Sequence, residues 1–143
     1  MAGMPGTIRR ARAEDHARVT EIRNTVTENV LRDPSRVTVE DYRWFEQNPG
    51  VWVWEEDGLI LGFSAADTRD GSIWALFMAS DHQRRGIGRA LFEKACEVLR
   101  QDGHRTAWLT TDPDSRAAGF YRAAGWEEIG TSKRGESIFK GIL

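Results

Sequence analysis

The most constraining feature of the sequence is an apolar segment that leads through a glycine-containing turn into a long helical pattern. The apolar segment is residues 73–79, the turn contains Gly86-Ile87-Gly88, and the helical pattern continues to Gly103. A strand that passes through such a turn into a helix collects unpaired backbone N–H groups at one point. The helix dipole adds about half a positive charge there. This arrangement predicts a site for a phosphate or pyrophosphate group.

The size and composition of the chain are those of one globular domain. Its 143 residues are enough for a single hydrophobic core, and no linker, repeat or low-complexity tract divides them, so we expect one domain over residues 1–143. A net charge of −2 disfavours a nucleic-acid partner. No run approaches the roughly 18 apolar residues of a membrane span, and residues 1–6 are too short for a signal peptide. We therefore expect a cytoplasmic protein without a membrane partner.

The cysteine and histidine content disfavours a metal site. The single cysteine, Cys96, excludes an internal disulfide and a multi-cysteine zinc site. Its apolar helical neighbours predict a buried, inert thiol rather than a nucleophile. His16, His82 and His104 are scattered without metal-ligand spacing, and we expect them to be exposed. The sequence therefore predicts no metal cofactor.

Apolar periodicity and turn signals predict helices at 13–31, 39–47, 87–102 and 115–124, and strands at 7–11, 51–56, 59–66, 72–79, 106–111, 126–130 and 137–142. Thr38 is expected to cap the second helix, and Asp57-Gly58 is a strong hairpin signal between the second and third strands. The helix at 87–102 links two strands that should be parallel. The pattern predicts an α/β (α+β) fold with a mixed, mostly antiparallel sheet of about six or seven strands and helices on both faces.

Two common phosphate-binding motifs do not match the glycine turn. A Walker A loop needs a lysine and a hydroxyl residue after its second glycine, and residues 86–91 contain neither. A dinucleotide fingerprint needs a third glycine where Leu91 stands, and it lies on the first strand of its fold rather than in mid-chain. Neither motif identifies the phosphorylated ligand.

Two longer motifs together resemble those of one enzyme superfamily. Gln83-x-x-Gly86-x-Gly88 resembles motif A of the GNAT superfamily of acyl-CoA-dependent N-acyltransferases. Further along, Ala117-x-x-Phe120-Tyr121-x-x-x-Gly125-Trp126 resembles motif B, in which Phe-Tyr and Gly-Phe are usual. The expected order of strands and helices also agrees with the superfamily fold, so the resemblance spans nearly the whole chain.

The resemblance implies a binding site for acetyl-CoA around the glycine turn. Backbone N–H groups from Arg84 to Arg89 would hold the pyrophosphate, and the strand ending at Met78 would diverge from its neighbour and pair with the pantetheine amides, as in strand addition. Glycine at positions 86 and 88 would let the main chain approach closely, since a Cβ would obstruct it. The implied cofactor-binding residues are Leu76, Phe77, Met78, Gln83, Arg84, Arg85, Gly86, Ile87, Gly88, Arg89 and Tyr121.

The resemblance also implies two catalytic groups. The backbone N–H of Met78 would polarise the thioester carbonyl as an oxyanion donor. Tyr121 stands at the general-acid position of motif B, and a phenol with a pKa of about 10 can protonate the departing thiolate without being ionised at neutral pH. Helix spacing alone favours a core tyrosine beside Phe120, whereas the two motifs together favour the acid.

Two positions depart from the superfamily pattern. Motif B usually begins with an asparagine, and Asp114 stands there, where helix capping is the expected role. Many relatives place a glutamate base at the start of the strand that carries Met78, and that position is Ser72. Glu28, Asp67 and a water chain ending at backbone carbonyls are alternative routes for the amine proton, so the general base is not assigned.

The acceptor site is expected to use residues of the first two helices and of the central strands. A carboxylate, an amide and aromatic rings suit a small cationic amine through charge pairing and cation–π contact. The alternative is a helix face that packs Trp44 in the core and exposes Glu28. The candidate residues are Glu28, Asn29, Tyr42, Trp44 and Trp74.

The sequence therefore predicts an N-acetyltransferase that moves an acetyl group from acetyl-CoA to a primary amine by direct attack in a ternary complex. The acceptor would be a small molecule or a peptide amine. The alternative is a catalytically silent acyl-CoA-binding sensor or regulatory module, which the missing glutamate keeps open. Dimers are common among relatives, and the final hairpin offers an edge strand to a second copy of the chain.

Overall fold

The computed structural model describes residues 6–25, 39–79 and 86–143. The described helices are α1 (His16–Thr25), α2 (Val39–Gln47), α3 (Ile87–Gln101) and α4 (Arg116–Ala123), with a 3-10 turn at Ala13–Asp15 before α1. The strands are β1 (Thr7–Arg10), β2 (Val51–Glu56), β3 (Leu59–Asp67), β4 (Ser72–Met78), β5 (Thr106–Thr111), β6 (Glu127–Thr131) and β7 (Ser137–Ile142).

The strands form one sheet in the order β1-β2-β3-β4-β5-β7-β6. Neighbouring strands are antiparallel except for β4 and β5, which are parallel and are linked through α3. This confirms the predicted mixed, mostly antiparallel sheet and its βαβ unit. The predicted boundaries agree with the described ones to within a few residues, apart from the first helix. That helix was predicted at 13–31, but it begins as a 3-10 turn, and residues 26–31 and Thr38 lie outside the described residues.

Local backbone geometry explains several of these boundaries. Asp57 and Gly58 both have positive φ angles, 53° and 79°, which is the geometry of a two-residue turn that matches the twist of a hairpin. Gly103 follows α3 with φ of 98°, as expected for the glycine that ends a helix in the left-handed region. These signals are local, and each was readable from the sequence.

Helices cover both faces of the sheet, as predicted. On one face, α1 and α2 bury apolar side chains such as Ile22 and Phe45 against β2, β3 and β4. On the other face, α3 and α4 pack against the sheet through residues such as Leu99 and Tyr121. Cys96 is buried in this second layer, and burial raises the pKa of its thiol to about 11, which agrees with an inert core cysteine.

Strands β4 and β5 separate soon after they meet. Within the described strands, Ser72 at the start of β4 pairs with Trp108, and the later residues of β4 have no register partner on β5. The N–H of Trp108 donates to the carbonyl of Gly71 at 3.2 Å, which ties the two strands at this end. The sheet therefore opens toward the end of β4 at Met78.

Candidate active site

The first turn of α3 stands at the open end of the sheet. Gly86 precedes the helix with φ of 76° and ψ of 1°, a left-handed conformation that favours glycine. The N–H of Ala90 donates to the carbonyl of Gly86 at 3.2 Å, and the N–H groups before Ala90 have no acceptor within an α-helix. Their position and the helix dipole favour an anion here. Gln83, Arg84 and Arg85 lie outside the described residues.

Gly88 has a packing role that the sequence did not reveal. It is buried, and a Cβ built on it would lie 2.8 Å from Cε and 3.0 Å from Sδ of Met78. On the neighbouring strand, a Cβ on Gly62 would lie 3.0 Å from Cδ1 of Leu91 in α3. The two glycines therefore let the start of α3 pack closely over the end of β4.

The backbone of β4 presents polar groups to the gap between β4 and β5. The N–H of Ala79 donates to the carbonyl of Leu61 at 2.9 Å, so these two residues form a hydrogen-bonded pair. Pairs alternate along an antiparallel ladder, which makes the Gly62 and Met78 pair a non-hydrogen-bonded one. The N–H and C=O of Met78 consequently point away from β3 and toward the gap, and the same alternation turns those of Leu76 in that direction.

A β-bulge places Trp74 on the face of the sheet that α1 and α2 cover. Ala65 pairs with Ala75 and Ala66 pairs with Ile73, so Trp74 is the extra residue on β4. Because of the bulge, the consecutive residues Trp74 and Ala75 pack with the same cluster of side chains. The ring of Trp74 stacks on Phe45 with a centroid distance of 4.0 Å.

Tyr121 lies deep in the layer between the sheet and α3. Ser115 begins α4 by accepting the N–H of Ala118 at 3.1 Å, and Tyr121 follows on the buried face of the helix with 4% of its surface exposed. Its ring packs against Phe92 and Phe139, at centroid distances of 5.7 and 5.8 Å. Burial raises the pKa of Tyr121, so the hydroxyl stays protonated at neutral pH. The ring is a core element, and the acid role stays a prediction.

The other candidate acceptor residues separate into two places. Tyr42 and Trp74 meet edge to face, with a centroid distance of 5.3 Å, on the α1 and α2 face of β4. Trp44 packs beneath the guanidinium of Arg69, 3.6 Å from its ring centroid, near the turn that begins β4. That end of β4 is opposite Met78, which argues against contact between Trp44 and the acceptor. Glu28 and Asn29 lie outside the described residues.

Asp67 is not placed to act as the general base. It pairs with Ser72 at the start of β4, the end remote from Met78, and its carboxylate accepts hydrogen bonds from Nε and Nη2 of Arg69 at 2.9 and 2.8 Å. Burial alone would raise the pKa of Asp67, but the hydrogen bonds from Arg69 outweigh burial and lower it. Ser72, which is expected at the base position of the superfamily, is itself buried.

Three further expectations are corrected by the structure. Asp114 was expected to cap α4, but Ser115 caps it and Asp114 is exposed. His16 and His104 are half-buried rather than exposed. The ring of His16 meets Tyr42 edge to face at 5.1 Å, and Nε2 of His104 lies 2.9 Å from the carbonyl oxygen of Thr68. His82 lies outside the described residues, which hold no cluster of three or more metal-ligating side chains.

The sequence profile described as "Acetyltransferase (GNAT) family" matches residues 16–126. The chain belongs to the GNAT family of acetyltransferases. It is 28% identical over 142 residues to the uncharacterized N-acetyltransferase YuaI of Bacillus subtilis, covering 86% of this chain and 81% of that protein. It is 34% identical over 103 residues to the peptidyl-lysine N-acetyltransferase YiaC of Escherichia coli, covering 71% and 64% respectively.

The fold of this GNAT chain agrees with solved structures of the family. PaiA N-acetyltransferase of Thermoplasma acidophilum, solved in complex with coenzyme A, superposes with a TM-score of 0.81 at 14% identity. The match covers 98% of this chain and 100% of that one. The helices that the structure describes are all too short or too polar to cross a membrane.

Sequence reasoning missed Arg23 in this GNAT chain. It lies on the apolar face of α1, four residues after Val19 and beside Ile22, and it is buried like both of them. Its guanidinium carbon lies 4.7 Å from the ring centroid of Phe77 and 5.1 Å from that of Trp74. The signal was available, because an arginine at the i+4 position of an apolar helical stripe is expected to point toward the core.

Proposed function

We propose that the chain transfers an acetyl group from acetyl-CoA to a primary amine, which attacks the thioester directly in a ternary complex. The observation that carries the proposal is the opening between β4 and β5, into which the N–H of Met78 points beside the first turn of α3. This arrangement has the two features that an acyl-CoA needs, a free strand edge for its amides and a helix N-terminus for its phosphates.

The pyrophosphate would bind at the start of α3. Backbone N–H groups of Ile87, Gly88 and Arg89 belong to the first helical turn, and Gly86, which is left-handed just before them, has no side chain of its own to cover them. Arg84 and Arg85 precede this turn in the sequence, and with the exposed Arg89 they would add positive charge. Gln83 completes the motif that suggested this site.

The pantetheine arm would lie along β4 as an added strand. Leu76 and Met78 offer their N–H and C=O groups to the gap, whereas Phe77 between them is paired with Phe63 of β3. The same N–H of Met78 would stabilise negative charge on the thioester oxygen as the amine attacks. Acetyl-CoA supplies the activated acetyl group, and these residues of β4 would orient its thioester for attack by the amine.

Tyr121 would donate the proton that the coenzyme A thiolate takes when the carbon–sulfur bond breaks. The raised pKa of this tyrosine keeps the proton on the hydroxyl at neutral pH, but it also makes the phenol a weaker acid, so the transfer depends on the negative charge that develops on the sulfur atom. The proton lost by the attacking amine must leave by another route, through a water chain or a carboxylate such as Glu28. Tyr42, Trp74, Glu28 and Asn29 remain the proposed acceptor contacts.

One specific observation supports the alternative, a catalytically silent acyl-CoA-binding module. Ser72 occupies the position of the superfamily glutamate, and the nearby carboxylate of Asp67 is held by Arg69. A protein that binds the coenzyme without a base would use the same cleft as a sensor.

The experiment that separates the two functions measures thiol release from acetyl-CoA against a panel of primary amines and lysine-containing peptides. Calorimetry with coenzyme A is run in parallel on the same protein. Turnover with at least one amine supports the transferase. Tight coenzyme binding without turnover on any amine supports the module, and absence of coenzyme binding overturns both.

A further inference from the structure

Arg23 carries a buried charge whose Nε and Nη1 find no hydrogen-bond acceptor in the part of the chain that the structure describes. The residue is 8% exposed, and both Nε and Nη1 are enclosed without a hydrogen-bond partner among the described residues. The faces of Trp74 and Phe77 lie against the guanidinium, as measured above. Aromatic faces attract a cation, but they do not accept its N–H groups as a carboxylate or carbonyl oxygen would.

A second unsatisfied group lies beside the first. The hydroxyl of Tyr42 is buried, and it also has no hydrogen-bond partner among the described residues. Burial raises the pKa of Tyr42, and the charge of Arg23 together with a polar contact from the Arg23 side chain partly offsets that rise. Two donor side chains, one of them cationic, therefore converge on a single place between α1, α2 and β4.

Among the described residues, this cluster lacks hydrogen-bond acceptors for its buried donors. Buried donors are almost always satisfied in folded proteins, and a buried charge without acceptors is more costly than a neutral group. Arginine forms its strongest hydrogen bonds with carboxylates and phosphates, and a tyrosine hydroxyl can donate to the same oxygen atoms. An anionic group with oxygen acceptors would therefore satisfy both side chains.

The position of the cluster indicates that this anion would belong to the acceptor molecule rather than to the coenzyme. Phe77 directly precedes Met78, whose N–H points into the opening between β4 and β5. The cluster lies on the face covered by α1 and α2, whereas α3 packs on the opposite face. The coenzyme phosphates are assigned to α3, so an anion beside Phe77 approaches the thioester from the acceptor side.

We infer that Arg23 and Tyr42 bind a carboxylate of the acceptor, so that the preferred substrate is an amine that also carries a carboxylate, such as an amino acid. The inference rests on the proposed function, and it replaces a purely cationic amine by a zwitterionic one. Trp74 and Phe77 form apolar walls beside the carboxylate.

The test compares natural L-amino acids with the amines that differ only by loss of the carboxylate, for example L-phenylalanine with phenethylamine and L-lysine with cadaverine. Thiol release from acetyl-CoA gives kcat/KM for both members of each pair. For the best pair we expect the carboxylate to raise kcat/KM at least tenfold, as for a hydrogen-bonded charged group. Equal values for both members of every active pair would overturn the inference.

Variants of Arg23 and Tyr42 test whether these two side chains cause the preference for an acceptor with a carboxylate. Tyr42→Phe removes only the unsatisfied hydroxyl, and Arg23→Met removes the charge at similar length. Both are expected to reduce the ratio of kcat/KM within the best pair by about tenfold or more. Arg12→Gln is the matched control, because Arg12 is 66% exposed at the start of the same helical region, and it should leave the ratio unchanged. An unchanged ratio in Tyr42→Phe and Arg23→Met would refute the assignment.

A binding measurement keeps the inference testable if no amine is acetylated. Sodium acetate is compared with sodium chloride at equal ionic strength, and the melting temperature is recorded for the wild type and for Arg23→Met. Stabilisation by acetate that disappears in Arg23→Met supports the anion site even if the transferase proposal fails. An acetate effect that is absent, or that is the same in both proteins, contradicts it.

Discussion

Replacing Tyr121 by phenylalanine separates its role in the core from its role in the reaction. The ring of Tyr121 contacts Phe92, Trp126 and Phe139 at centroid distances of 5.7, 6.1 and 5.8 Å, and a phenylalanine ring can keep all three contacts. Loss of the hydroxyl alone should change the free energy of unfolding by about 1 kcal/mol. Removal of the ring in Tyr121→Ala should cost about 3–5 kcal/mol, because it leaves a cavity in the core.

The kinetic effect should be much larger than the effect on stability. A general acid contributes roughly 10²–10⁴-fold to the rate, so kcat of Tyr121→Phe should fall by that factor while the affinity for coenzyme A changes little. The assay is steady-state thiol release with saturating acetyl-CoA, combined with calorimetry of coenzyme binding and urea unfolding of the same samples. Since burial raises the pKa of Tyr121, its ionisation should not lower the wild-type rate below about pH 10.

A matched control distinguishes catalysis from packing. Phe139→Leu disturbs the same aromatic contact without removing a hydroxyl group, so it should lower stability and leave kcat within a few-fold of the wild type. If Tyr121→Phe keeps the wild-type kcat, Tyr121 is a core tyrosine and the acid assignment is wrong. The acid assignment also fails if Phe139→Leu and Tyr121→Phe lower kcat equally.

Three further predictions concern the glycine turn and the β3–β4 turn. Gly86→Val should abolish coenzyme A binding in calorimetry. The control is Gly58→Val, which imposes the same positive-φ strain in an exposed hairpin and should leave coenzyme binding unchanged. Equal losses of binding in the two variants would contradict a phosphate site at Gly86. Gly88→Val should lower the free energy of unfolding by about 1–3 kcal/mol because its side chain meets Met78; unchanged urea unfolding would refute this. The lowered pKa of Asp67 means that its ion pair stabilises the fold above about pH 4 and is lost as pH falls. Between pH 7 and pH 3, the melting temperature of Asp67→Asn should therefore fall less than that of the wild type. An equal fall in both proteins would argue against the ion pair.

Much of the fold was predictable because its determinants are local. The Asp57-Gly58 turn and the glycine after α3 depend on backbone sterics within a few residues, and the strands follow from apolar patterns bounded by such turns. The cofactor motif is local in the same sense, since a strand, a left-handed Gly86 and a helix start are consecutive in the chain. Ser115 rather than Asp114 caps α4, and the local sequence does not distinguish them, because both have suitable side chains and they are adjacent in the chain.

The sequence by itself determined the element order, the family motifs and the position of the glycine turn. Only the tertiary structure decided which groups face the cleft. The bulge that turns Trp74 toward α2, the separation of β4 from β5 and the direction of the Met78 N–H all depend on pairing with strands that are distant in sequence. Arg23 illustrates the reason. Its residue type and its spacing on α1 are visible in the sequence, but the lack of an acceptor among the described residues around it depends on how α1, α2 and β4 pack together.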